Sequence, residues 1–269
     1  MTSPSRPISR DSVRFQFGKN WKRFIELLDE SRIVEAQKSL HAMLEIQDFR
    51  GKRFLDIGSG SGLFSLAARM LGASVCSFDF DAEAVACTKS IRDQFFPHDS
   101  EWKIQQGDVL DQKYLMSLDT YDIIYSWGVL HHTGSMWKAL ENITTVVGNK
   151  GYVFIAIYND QGFISRYWLQ VKKVYNANWW GQVVMILIHA PYLYILRRLV
   201  RLIQGRGKLP RGMDLWRDMV DWLGGYPFEV AKPEEVVQVF TCRGFRLVKL
   251  KTCGRRHGCN EFIFRRVSQ

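Results

Sequence analysis

Three glycines, Gly58, Gly60 and Gly62, each separated from the next by one serine, are the residues of this chain best suited to holding a ligand. They follow the apolar run Phe54, Leu55, Ile57 and precede residues 63–70, which read as a helix. A buried strand, a turn without Cβ atoms at three points and a helix N-terminus direct backbone N–H groups at a bound group and let the backbone approach it closely. The next apolar run, residues 74–78, ends in Asp79. An acid about 20 residues past such a turn can accept hydrogen bonds from the hydroxyls of a ribose. Two further runs, 102–106 and 121–125, end in Gly107-Asp108 and in Ser126-Trp127-Gly128. His131 and His132 follow at once, in SWGVLHHTG. An imidazole with an ordinary pKa of about 6.5 can take a proton from a hydroxyl near neutral pH. Alternatively, His132 only pins its loop by hydrogen bonds. His41, His98 and His189 have no such placement.

These groups can act together only if the strand ends share one rim. Strands alternating with helices predict a mostly parallel sheet with right-handed crossovers. Helices are expected over 82–95, 112–118 and 136–147, with Asp81 at the start of the first of these. A fifth strand is expected over 151–157, with Tyr158 and Asn159 at its end. Residues 245–251 and 261–266 read as two strands joined by a glycine-rich connection. Ahead of the first strand, Phe15, Phe17, Trp21, Phe24, Leu27 and Leu28 recur at near-helical spacing, and 33–46 reads as a second amphipathic helix.

LDIGSGSG, with its acid ahead of the glycines, resembles the glycine motif of class I S-adenosylmethionine-dependent methyltransferases, and the resemblance runs over about residues 51–158. A dinucleotide oxidoreductase would show G-x-G-x-x-G, and Asp56 would repel a pyrophosphate. The resemblance implies an α/β fold, a doubly wound, mostly parallel seven-stranded Rossmann-like sheet. It adds an antiparallel C-terminal hairpin, N-terminal helices and, in this chain, a helical insertion after strand five. It implies S-adenosylmethionine as cofactor, S-adenosylhomocysteine as product, and no metal. Residue by residue, Asp56 and Gly58, Ser59, Gly60 and Gly62 match the methionine-binding motif. Asp79 matches the ribose acid, with Phe80 beside the adenine. Asp108 and Val109 match the adenine contacts, and Ser126 and Trp127 flank the methionine arm. The family places the transferred methyl near the end of strand four, which makes His131 and His132 the candidate catalytic residues. Four parts follow: 1–50, a tail and helical lid that includes Phe15 to Trp21; 51–159, the cofactor-binding core; 160–230, the insertion; and 231–269, a helix and the closing hairpin.

The net charge of +10 is concentrated: residues 161–210 hold eight lysines and arginines and no acid. Such a stretch can attract nucleic acid, anionic lipid or an anionic substrate. Within it, residues 183–196 form the most apolar run of the chain. At 14 residues it falls short of the ~20 a membrane span needs. A buried helix of a substrate subdomain is the expected reading, with an interfacial membrane helix over 183–204 as the alternative. Trp216, Asp218, Asp221, Trp222 and Tyr226 mix acids with aromatic rings, as a pocket wall does, and with Tyr158 and Asn159 they are the candidate substrate residues. No N-P-P-Y amide-methylating signature is present, and GVLHHTG resembles small-molecule and quinone-type methyltransferases. The expected substrate is therefore a small or lipid-linked molecule methylated on a hydroxyl. A tRNA or rRNA methyltransferase, or an RNA-binding module using the basic insertion, is the alternative. Residues 1–20 carry Arg6, Arg10, Arg14 and Lys19 without an apolar segment, and the five cysteines are scattered without C-x-x-C spacing. A cytoplasmic protein is the expectation, with attachment to the inner face of a membrane as the alternative.

Overall fold

The structure is a computed structural model that describes residues 29–204, 215–254 and 258–268. The proposed lid at Phe15 to Trp21 and the first N-terminal helix lie outside the described residues. The chain divides into two compact units: Phe163–Phe228, and a unit that contains the whole sheet.

In the larger unit α1 (Glu30–Leu44) precedes the alternation β1 (Arg53–Ile57), α2 (Leu63–Met70), β2 (Ser74–Asp79), α3 (Ala82–Phe95), β3 (Trp102–Gln106), α4 (Gln112–Ser117), β4 (Tyr121–Trp127), α5 (Met136–Ile143) and β5 (Val147–Tyr158). After the insertion come α9 (Pro233–Thr241), β6 (Phe245–Lys251) and β7 (Cys259–Arg266). The seven strands lie in the order β3-β2-β1-β4-β5-β7-β6. The first five pair in parallel and β7 joins β5 antiparallel, so the sequence-based fold class holds. The order reverses beside β1, between β1 and β4, and the carboxyl ends of parallel strands at such a switch point form a ligand crevice.

Alternation along β1 sends Leu55 and Ile57 into one apolar layer and Phe54 into the other. Asp56 shares the Phe54 side, the face on which α2 packs, which explains both its burial and its partner below. Two expected boundaries shift. Helix α5 stops at Ile143 rather than running to residue 147, because Thr144–Val146 tighten into a 3-10 turn. Strand β5 begins at Val147, four residues early, and carries an irregular register beside Tyr121 and a left-handed Lys150.

The smaller unit is helical: α6 (Phe163–Ala177), α7 (Trp179–Ile203) and α8 (Leu215–Gly224). Here the structure corrects the expectation of a short buried helix. Residues Pro191–Leu196 form a π-helical segment between two α-helical ones, so Pro191 is absorbed and the helix continues for 25 residues. Its apolar side chains are mostly exposed, Leu187 and Leu202 at 69% each and Ile203 at 85%. The inner side of α7 rests on α6. Gly181 lets the Val174 carbonyl approach to where a Cβ would lie 2.1 Å away, and Tyr167 Oη and His189 Nε2 are 2.8 Å apart.

Candidate active site

The glycine turn is built by its neighbours as much as by its glycines. Gly58, Gly60 and Gly62 all have positive φ, which side chains rarely adopt. At Gly58 a Cβ would also lie 2.4 Å from Val129 Cγ1, so the loop after β4 closes directly over the turn. From the other side, buried Thr88 on α3 bonds Ser59 Oγ at 2.9 Å, and its backbone sits where a Cβ on Gly62 would intrude. Neither Val129 nor Thr88 carries a motif signal, and sequence reasoning missed both.

Asp79 ends β2 with each carboxylate oxygen on a backbone N–H, Gly60 at 3.0 Å and Asp81 at 2.9 Å. It thus ties the turn to the next strand end. Asp81 caps α3 through Glu83 N, as expected. Phe80 beside it is exposed. On β3's side, Asp108 accepts from Leu110 N at 2.8 Å, and Asn142 holds the carbonyl of buried Val109 at 2.9 Å.

Asp56 is buried, and burial is the main reason its pKa rises to about 7. A hydrogen bond from Ser65 Oγ, 2.5 Å from Oδ2, opposes that rise, and the Asp79 charge adds to it. Ser65 Oγ in turn lies 2.7 Å from Ser77 Oγ, which accepts from Trp102 Nε1 at 2.9 Å. With Asp56 ionised, this chain has one polarity. The indole can only donate, so Ser77 donates to Ser65, and Ser65 to the carboxylate. Ser126, fully buried, donates to Ile57 O at 3.0 Å and fastens β4 to β1, while Trp127 is half-buried beside it.

The two histidines differ. His131 is fully buried. Its Nδ1 accepts from Tyr158 N at 3.4 Å, its ring lies 3.8 Å from the Tyr158 ring, and its carbonyl accepts from Glu229 N. His132 is half-buried, edge-on to both His131 and Tyr158. The Glu229 carboxylate, also missed in the sequence, bonds Met136 N through both oxygens and so caps α5 just past this loop. Asn159 is committed on both sides, donating to Gly254 O and accepting from Asn260 Nδ2.

The remaining candidate substrate residues belong to the smaller unit and hold its helices together. Asp218 takes Arg197 Nη1 at 2.7 Å. Trp216 meets Tyr194 edge-on, and Trp222 meets Trp168. Lys172 is buried, bonds the Trp222 carbonyl and lies over the Trp222 and Phe228 rings. Desolvation pulls its pKa down to about 7, against the charge of Asp221. Tyr226 lies just beyond α8, preceding Pro227. Among the described residues no group of three His, Cys, Asp or Glu could hold a metal ion.

A family model described as a methyltransferase domain matches residues 28–207. The chain belongs to this methyltransferase family. Its members are S-adenosylmethionine-dependent, and the cradle fits such a donor: a Cβ-free turn, an acid bonded to that turn at the next strand end and a buried acid at one strand rim. The methyltransferase is 28% identical over 109 residues to a ubiquinone biosynthesis O-methyltransferase of Glaesserella parasuis, covering 40% of this chain and 46% of that one. It is 52% identical over 56 residues to a ribosomal protein L11 methyltransferase of Prochlorococcus marinus, 19% of this chain and 18% of that one. It thus spans less than half the length of these curated relatives. Magnesium protoporphyrin IX methyltransferase from Synechocystis with bound SAM shares the fold, at a TM-score of 0.59 and 10% identity over 98% of this chain and all of that one. An O-methyltransferase family protein from Burkholderia thailandensis is likewise similar, at a TM-score of 0.59 and 11% identity over 97% of this chain and 65% of that one.

Proposed function

We propose that this enzyme methylates a hydroxyl of a small, largely apolar molecule, with His132 as the base. The observation that carries the reading is the division of labour in the histidine pair. His131 is sealed and engaged by the end of β5, whereas His132, in the same ring cluster, is only half-buried. His131 and Tyr158 then act as positioning residues, and His132 takes the proton of the acceptor hydroxyl. Bound S-adenosylmethionine supplies the electrophilic methyl. Asp56 and the turn from Gly58 to Gly62 hold its methionine arm together with the backbone at Ser126 and Trp127. Asp79 takes the ribose, and Phe80, Asp108 and Val109 enclose the adenine. Similarity to a ubiquinone biosynthesis O-methyltransferase supports a hydroxyl acceptor.

The test is methyl transfer from radiolabelled S-adenosylmethionine to a panel of catechols and quinols, with tRNA and ribosomal protein as competing acceptors. Transfer to the phenolic acceptors is expected. His132→Ala should lower kcat by about 10²–10⁴ with the affinity for S-adenosylhomocysteine unchanged, since a base acts in the transition state. Transfer to RNA or protein alone, or full activity in His132→Ala, would overturn the proposal.

A further inference from the structure

We infer that α7 is an in-plane membrane helix that seats the smaller unit on an anionic bilayer surface. The inference does not depend on the acceptor proposed above. The outward side of α7 is apolar for most of its length: Val183, Val184, Leu187, Ile188, Ile195 and Leu199 are all exposed. An apolar strip of this length in water is unusual for a helix whose other side is already packed, and such surfaces mark interaction sites.

Its ends identify the partner. At the N-terminal end Trp179 and Trp180 are stacked 3.8 Å apart and exposed at 59% and 62%. Tryptophans concentrate at the headgroup level of membranes, where an amphipathic ring is half wetted. Toward the C-terminal end come Arg197, Arg198 and Arg201. Asp218 engages Arg197, and Arg198 donates to the phenol of Tyr194 rather than to an acid. Residues 161–210 contain no acid, and Asp218, which packs on the helix from α8, is engaged by Arg197, so this end keeps a net positive charge that suits anionic headgroups.

The helix is long and apolar enough to cross a bilayer, yet its packing favours lying in the plane. Helix α6 runs antiparallel alongside it, with Val174 against Gly181 and Tyr167 against His189. Arg166, Gln170 and Lys173 on α6 are exposed. A spanning α7 would drag these groups into hydrocarbon, where each charge is strongly disfavoured. Lying flat, the helix buries only its outer strip and leaves α6 on the aqueous side.

Flotation of the whole protein with vesicles decides the matter. Binding is expected to phosphatidylglycerol-containing vesicles, weaker to phosphatidylcholine alone, and falling as salt rises. The double variant Leu187→Glu, Ile188→Glu changes only exposed side chains, so its circular dichroism and S-adenosylhomocysteine affinity should be unchanged while flotation is lost. Arg198→Glu should weaken binding to the anionic vesicles by roughly fivefold or more, and binding to neutral ones little. Failure of the wild type to float overturns the inference. So does self-association in sedimentation that the double variant abolishes without any vesicle binding, which would assign the strip to a second copy. Retention in vesicles through alkaline extraction would make α7 a spanning helix and overturn the in-plane reading.

Discussion

Asp56 lets the cofactor site be tested through protons. Its carboxyl has a pKa of about 7 in the ligand-free protein, chiefly from burial, against a usual 3.8. At about 1.4 kcal/mol per unit, keeping it ionised above pH 7 costs the folded protein about 4 kcal/mol. The folded state therefore holds a proton that the unfolded state has released between pH 4 and 7. Stability contributed by this group falls as pH rises through that window. The proposed placement of a ligand ammonium beside the carboxylate would reverse the preference. Binding S-adenosylhomocysteine should release a proton, and its affinity should weaken by about tenfold at pH 6 and about a hundredfold at pH 5 relative to its plateau above pH 7. Calorimetry over pH 5–7 in two buffers of different ionisation enthalpy measures both the affinity and the proton released. Asp56→Asn should bind weakly with no pH slope, and its ligand-free stability should lack the decline between pH 4 and 7 relative to wild type. A wild-type affinity that stays flat over pH 5–7, or an Asp56→Asn variant with the same slope, would refute the reasoning.

Three further outcomes are expected. Gly58→Ala should abolish detectable S-adenosylhomocysteine binding by calorimetry, because the left-handed backbone and the Val129 methyls both reject a Cβ there. Asp79→Ala should weaken the same binding by at least tenfold, since it removes the proposed ribose acceptor and releases Gly60 N. Lys172→Met should change how stability depends on pH in chemical denaturation. With a folded pKa near 7 and an unfolded one near 10.5, wild-type stability from this group rises with pH across that interval, and the variant should lose that rise.

The fold was largely legible because its signals are local. Apolar runs ended by Asp79, by Gly107-Asp108 and by Ser126-Trp127-Gly128 marked β2, β3 and β4, and Asp81 announced the start of α3. What stayed hidden depends on distant partners. Val129 and Thr88 shape the glycine turn from 71 and 29 residues away along the chain or less, through contacts that no residue type advertises. The difference between His131 and His132 is invisible in a doublet, since it arises from Tyr158 and Glu229 arriving on one side. The reading of residues 183–196 failed for a definite reason. Proline usually breaks a helix, but a single π-helical segment accommodates Pro191, and apolar composition alone does not say whether another element covers the face.

The hydrogen-bonded chain beneath Asp56 has a consequence for how fast the site can equilibrate. It ends on the Trp102 indole, a group that holds its hydrogen permanently and can neither pass a proton inward nor accept one. The interior side of the carboxyl is thus a dead end for proton conduction. A proton leaving Asp56 cannot depart along that chain, so its exchange runs on the other side of the carboxyl. How fast this buried group reaches protonation equilibrium therefore depends on how often that other side meets water.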